Sequence, residues 1–361
     1  MCPMDWEGRH SKLRAALEGR KVDAMIVTHL PNVRYLCGFT GSAGILLFAR
    51  KPVFFTDGRY TEQASLQVKG ARISIVKAAG PPVVTAACKK LRLKRVAVES
   101  EHLTMAEHAA LQHLLGKGVR LVPVAGLVES LRAQKDEEEI ELLRRAVELS
   151  SNLFRPLLRS MRAGVSESAI AGTLEHNARK AGAERMSFET IVASGVRSAM
   201  PHGIASATKL PAEGFVVLDY GVVLDGYCSD MTRTVHLGKA SEASRTLYRA
   251  VLEAQLAAIS VVHAGVTAGE VDRAARQELK RAKLDRYFTH STGHGVGLEI
   301  HEVPRLAAGS DAVLLPGMVI TIEPGVYLPG KCGIRIEDML LVTERGYEVL
   351  TPVGKELLEL N

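Results

Sequence analysis

The second half of this chain states one pattern twice, and that repetition constrains the fold more than any other feature. Arg162-Ala163-Gly164-Val165-Ser166 returns as His263-Ala264-Gly265-Val266-Thr267. Ser166 and Thr267 are both suited to cap a helix, and Glu270, three residues after Thr267, completes a capping box. Each copy continues as a basic amphipathic helix, through Lys180 and through Lys283. Two strand-like segments with an acidic pair follow each copy at similar spacing. The pairs are Asp219 with Asp230, and Glu323 with Glu337. A repeat of this kind is read before any local detail. Related halves that each bring carboxylates predict a site on a pseudo-twofold axis.

The setting of these acids carries the chemistry. Val216-Val217-Leu218 leads straight into Asp219, and Val319-Ile320-Thr321-Ile322 into Glu323. Gly221 and Gly226 predict a hairpin that brings Asp219 back to Asp230, and Gly325, Pro329, Gly330 and Gly333 predict one for Glu323 and Glu337. Four converging carboxylates repel one another, and buried without cations they would take up protons. Divalent metals resolve this. The run from Thr289 to Gly297 adds His294 among glycines that let the backbone pass close to a bound group. Oxygen ligands with one imidazole suit Mn²⁺, Fe²⁺, Co²⁺ or Zn²⁺ rather than a thiolate-seeking metal.

With 361 residues, the chain is expected to form two domains. Residues 1–125 alternate helix-like and strand-like stretches, which predicts an α/β domain. Residues 123–135 read as a connection. Asp136 and the glutamates after it open a new helix with acid at its positive end. The boundary is placed at 1–128 and 129–361. The net charge is +6, but aromatics make up only 5% and the basic run Lys89–Arg95 reads as a solvated helix end. No nucleic-acid partner is expected. Five cysteines without a C-x-x-C pair argue against a disulfide framework and fit a cytoplasmic protein. No apolar run approaches the ~18 residues of a membrane span.

At this point the sequence resembles the pita-bread metallopeptidases, the family of methionine aminopeptidase, aminopeptidase P and prolidase. The strings are PHG at 201–203, LDYG at 218–221, SDMTRT at 229–234, HSTGHGVGLEIHE at 290–302, TIEPG at 321–325 and GIRIED at 333–338. The resemblance implies an α+β pita-bread catalytic domain behind the N-terminal α/β domain. It implies two divalent ions, manganese first, held by Asp219, Asp230, His294, Glu323 and Glu337. Glu323 would also shuttle protons, and His202 and His301 would contact substrate and stabilise the intermediate. His290 and Arg335 would support the ligands from behind. Arg335 lies two residues before Glu337, on the same strand face. Every ligand position is filled, which separates the chain from creatinase and from the non-enzymatic relatives. The extra domain separates it from typical methionine aminopeptidases.

The N-terminal strings around Gly38-Phe39-Thr40-Gly41 and Thr56-Asp57-Gly58-Arg59-Tyr60 resemble the first domain of aminopeptidase P and prolidase, which cleave before proline. Aminopeptidase action on Xaa-Pro peptides is the main expectation, and dipeptidase action the alternative. A dipeptidase must read the proline carboxylate, and Arg305 is the candidate reader. Tyr327, and less so Phe188, are candidates for lining the proline pocket. The resemblance further implies a homodimer.

Overall fold

The computed structural model describes residues 4–361, so Cys2 and the first three positions of the predicted first domain lie outside the described residues. The chain divides into two compact units between Arg132 and Ala133.

The first unit runs α1 (Trp6–Gly19), β1 (Ala24–Val27), α2 (Leu30–Cys37), β2 (Ile45–Phe48), β3 (Val53–Asp57), α3 (Thr61–Gln67), β4 (Arg72–Val76), α4 (Pro81–Lys90), β5 (Arg95–Glu99), α5 (Met105–Leu115), β6 (Arg120–Val124) and α6 (Leu127–Ala133). Its six strands lie in the order β4-β3-β2-β1-β5-β6. The apolar run of β1 is buried at every residue, as a central strand flanked on both faces must be. Only the β1–β2 and β2–β3 pairs are antiparallel. Helix α2 has no side-chain cap of its own. The buried carboxylate of Glu99, at the end of β5, accepts from Thr28 N at 2.7 Å and His29 N at 2.9 Å, and so anchors the two residues that lead into the helix.

The stretch expected to be a plain connection, 123–135, contains β6 residues and α6. Its Arg132 is buried and donates to Asn32 Oδ1 at 2.7 Å, while Asn32 donates to Glu99 at 2.8 Å. A tertiary ion-and-amide network forms this helix, and its seven residues carry too little periodicity to announce it.

The second unit contains α7 (Glu137–Leu158), α8 (Glu167–Lys180), β7 (Arg185–Met186), β8 (Ile191–Ser194), β9 (Gly214–Tyr220), β10 (Val222–Leu224), β11 (Tyr227–Cys228), β12 (Met231–Leu237), α9 (Glu242–Ser260), α10 (Ala268–Arg281), β13 (Gly293–Gly295), β14 (Glu302–Leu306), β15 (Val319–Ile322), β16 (Gly325–Leu328), β17 (Cys332–Arg335), β18 (Asp338–Thr343), β19 (Gly346–Val349) and β20 (Glu359–Leu360). Asp136 caps α7 in a capping box with Glu139. One core gathers α7, α8, β9 and β12, and another gathers α9, α10, β15 and β18. Two sheets, β20-β12-β9-β8 and β14-β13-β15-β18-β19, carry the halves.

The repeat is real down to its hydrogen bonds. Gly164 donates to Leu210 O at 2.9 Å and Leu210 back to Val165 O at 2.8 Å; Gly265 and Leu314 exchange the same bonds, with Val266, at 2.9 and 2.8 Å. Gly164 and Gly265 have φ of +85° and +94°, which explains why both copies of the short string hold glycine there. Ser166 caps α8 and Thr267 caps α10, the latter with the predicted box to Glu270.

The predicted hairpins are more elaborate than single turns. Between β9 and β12 the chain makes a further strand pair, β10–β11, and between β15 and β18 it makes β16–β17. The register also corrects the pairing of the acids. Asp219 lies opposite Thr232 and Thr321 opposite Met339, while Asp230 and Glu337 each directly precede the returning strand. Ser229 N bonds to Val222 O as Ile336 N bonds to Pro324 O. Asp219 therefore corresponds to Thr321, and Glu323 stands two residues further on. Alternation keeps it on the same side of the strand.

Candidate metal centre

Strands β9, β12, β13, β15 and β18 end or begin at one place, and their end residues are the polar ones. Asp219 is on β9, Asp230 just before β12, His294 on β13, Glu323 just after β15 and Glu337 just before β18. Ligand atoms of Asp230, His294 and Glu337 lie within 4.8 Å of one another, a group able to hold a metal ion. His294 Nε2 is 3.6 Å from Asp230 Oδ2 and 3.5 Å from Glu323 Oε1. Asp219 lies close enough for its charge to act on Asp230, Glu323 and Glu337, and its Oδ2 accepts from Arg335 Nη2 at 2.5 Å.

The acids do not suit one another without cations. Burial, then the charges of Glu337, Asp219 and Glu323, push Asp230 well above the usual carboxylate range. Burial, then Glu323 and Asp219, does the same to Glu337. Burial raises Glu323 to about 7. Asp219 Oδ1 is buried and has no hydrogen-bond partner among the described residues. Such an oxygen costs free energy unless something meets it. The histidine is in ligand form. Burial lowers His294 to about 4, so it is neutral, and its Nδ1 donates to Gly295 O at 3.0 Å. That fixes the tautomer and leaves the Nε2 lone pair among the carboxylates. The donor set therefore fits hard or borderline divalent ions.

A second layer holds these groups. Arg335 is buried and also donates to Pro201 O (3.0 Å), Thr232 Oγ1 (3.1 Å) and the Tyr327 hydroxyl (2.6 Å). Thr232 in turn donates to Glu337 Oε2 at 2.8 Å. His290 Nδ1 donates to Ser291 O at 2.8 Å, so its Nε2 accepts the Tyr327 hydroxyl at 2.9 Å. Burial lowers His290 to about 4, which keeps that nitrogen free to accept. Tyr327 was expected to line a proline pocket. It is 5% exposed, and its hydroxyl links Arg335 to His290. Phe188 is half-buried.

The two remaining histidines are exposed. The His301 ring stands edge-on to His294 at 4.5 Å. Burial, with the charges of His202 and Arg305, lowers His301 from its ordinary value, so His202 and Arg305 both lie near it. Arg305 is exposed on β14, directly across from His294 in the β13–β14 register. Reading the sequence missed Thr232, although it lies two residues after Asp230 and so faces the same way. It also missed Arg233, buried against Asp338 Oδ1 at 2.7 Å; nothing local distinguishes that arginine from a surface one.

Among the described residues no helix is long and apolar enough to cross a membrane. Cys37, Cys88 and Cys228 are buried free thiols, and Cys332 is half-buried. Residues 141–344 match the pattern of metallopeptidase family M24, and residues 9–134 that of the creatinase/prolidase N-terminal domain. The solved Xaa-Pro dipeptidase from Bacillus anthracis is 41% identical, covers 99% of this chain and 100% of its own, and superposes with a TM-score of 0.96. The X-Pro aminopeptidase from Thermotoga maritima is 36% identical over 94% of this chain and 98% of its own, with a TM-score of 0.88. The Xaa-Pro dipeptidase of Pyrococcus horikoshii is 33% identical over 96% of this chain and 97% of its own.

Proposed function

Since this chain belongs to metallopeptidase family M24, we propose that it is a Xaa-Pro dipeptidase that works with two divalent ions, manganese first among them. This reverses the order of the two activities expected from the sequence. One observation carries it. Arg305 is an exposed guanidinium directly across the strand from His294 and near His301, with no carboxylate partner among the described residues. A dipeptide ends in a carboxylate just beyond the scissile bond, and arginine is suited to that geometry. The dipeptidase names of the Bacillus anthracis and Pyrococcus horikoshii relatives support the same reading.

In this reading Asp219, Asp230, His294, Glu323 and Glu337 hold the ions. Bound ions supply Lewis-acid activation of water and of the scissile carbonyl. The chain's own residues do the rest. Arg305 binds the proline carboxylate and orients the imide bond. That bond has no N–H, so strand-like substrate hydrogen bonding cannot recognise it. His202 and His301 donate to the carbonyl oxygen as negative charge develops on it. Glu323 takes the proton of the attacking water and passes it to the departing proline nitrogen. Tyr327 and Arg335 hold Asp219 and His290 in place throughout. The active form is a homodimer, with a sedimentation mass twice the 39.0 kDa of the chain.

The test is hydrolysis of Gly-Pro and of Gly-Pro-Ala by metal-stripped protein, with and without Mn²⁺. Metal-dependent cleavage of Gly-Pro, with a raised KM in Arg305→Ala, is the expected result. Preference for the tripeptide would return the reading to an aminopeptidase. Cleavage of neither substrate by metal-loaded protein would remove the Xaa-Pro reading.

A further inference from the structure

Two side chains of α10, outside the acid cluster, hold the loop that carries His290. Asp272 is 1% exposed. It accepts from Arg276 Nε at 2.7 Å and Nη2 at 3.2 Å, and from Thr292 Oγ1 at 2.9 Å. Arg276 donates onward to Phe288 O at 3.1 Å and to His290 O at 2.7 Å. Its guanidinium lies 4.3 Å from the centre of the Phe288 ring, and that ring stands edge-on to His290 at 5.0 Å. Thr292 is fully buried, and its carbonyl accepts Glu323 N at 2.8 Å. One ion pair thus reaches His290 through the backbone and Glu323 through Thr292.

A buried carboxylate is costly unless its oxygens are satisfied. Here those oxygens face the pair's own arginine and this loop. The first half has a comparable carboxylate–arginine pair, built from a different helix position and with its arginine on the loop itself. Glu167, on α8, the repeat counterpart of α10, is fully buried. It accepts from Ser194 N and Oγ, each at 2.9 Å, from Ser206 N at 3.2 Å and Oγ at 2.8 Å, and from Arg197. Arg197 then donates to Ile204 O at 2.9 Å. That carboxylate–arginine pair brackets the loop carrying His202. A device that occurs in both halves, each time on a loop bearing a site histidine, goes beyond generic packing.

We propose that Asp272 and Arg276 are positioning residues of this peptidase, setting the His290 ring against Tyr327 and the Glu323 carboxylate beside His294. The proposal rests on the dipeptidase reading only for the choice of substrate. Side chains at such sites must be held to within roughly half an ångström. Arg276 also lines a cavity of about 270 Å³ with Arg273, Gln277 and Lys280, so a small guanidine has a route to its place.

The test is Arg276→Ala, assayed on Gly-Pro with saturating Mn²⁺, beside the imidazole ¹⁵N spectrum of metal-free, histidine-labelled protein. His290→Gln assigns the ring signals. The expected result is a kcat lower by about 10–100-fold, the usual cost of losing an outer partner, with KM nearly unchanged. Millimolar methylguanidine should restore part of that loss, and the His290 ring signals should move. Thr292→Val cuts only the tie to Asp272 and should lower kcat in the same direction. It carries the test if Arg276→Ala does not fold. A folded Arg276→Ala protein with wild-type His290 signals, or with kcat within about twofold of wild type, overturns the proposal. So does an unchanged kcat in Thr292→Val. If the wild type cleaves no Xaa-Pro dipeptide but the Arg276→Ala signals move, the dipeptidase reading fails and the positioning role stands.

Discussion

Chelating the ions should make the second unit's stability fall as pH rises from about 4.5 to about 7, and restoring Mn²⁺ should abolish that fall. The reason lies in the clustered acids. Glu323 has a folded-state pKa of about 7 against 4.5 for an ordinary glutamate, raised chiefly by burial. Below pH 4.5 the group is protonated in both states and costs nothing. Between the two values the unfolded chain releases the proton and the folded chain keeps it, so rising pH favours unfolding. Above the folded value the loss is complete, on the order of 3 kcal/mol from Glu323 alone. Asp230 and Glu337 shift in the same direction and deepen the loss. For a unit of this size that is a melting-temperature drop on the order of 10 °C. The single tryptophan, Trp6, is in the first unit, so calorimetry rather than fluorescence follows the second. Scans at successive pH values, with chelator and with Mn²⁺, make the comparison. A metal-free melting temperature that stays flat or rises across this window would refute the claim that these carboxylates face one another in a dry site.

Three further outcomes follow from named contacts. Tyr327→Phe removes the hydroxyl between Arg335 and His290 and should lower kcat by about 10–100-fold with the protein still folded, as steady-state kinetics and a melting curve would show. Gly164→Ala and Gly265→Ala meet no atom within 4 Å but force a left-handed φ on alanine, so each should cost about 1–2 kcal/mol in urea unfolding, and by similar amounts. Arg233→Leu breaks a buried pair with Asp338 and should destabilise by about 3–5 kcal/mol, less whatever Lys355 compensates through its 2.7 Å contact to the same carboxylate.

Much of the site was legible because the acids sit in apolar strands, where a lone carboxylate has no reason to be. Gly164 and Gly265 were legible as a repeat, although their left-handed backbone became visible only in the structure. The two-residue offset between Asp219 and Glu323 along one strand face was not legible, because similar spacing alone cannot reveal it. The register that settles it is a tertiary fact. Tyr327 is legible only as a candidate for the proline pocket, since its position does not reveal that its hydroxyl meets both Arg335 and His290. Asp272, Arg276 and Arg233 left no local trace. Each reads as an ordinary charge on a helix or strand until the element it touches, far along the chain, is in place. The dipeptidase and aminopeptidase branches were not separable by motif, because both act at the same bond and differ in what lies beyond it.

The anchor of the turn into α2 is borrowed from far along the chain, and that bears on the order of folding. Eight residues are too few to hold a helix alone, and the amides of Thr28 and His29, which lead the chain into it, are held by Glu99 at the far end of β5. While the ribosome has delivered only β1 to β4, Thr28 and His29 have no carboxylate to hold the turn into α2. That anchor arrives when β5 emerges and docks parallel to β1. Within the first unit the chain therefore cannot be built strictly from its beginning, and a fragment truncated before Glu99 would lack a lasting α2.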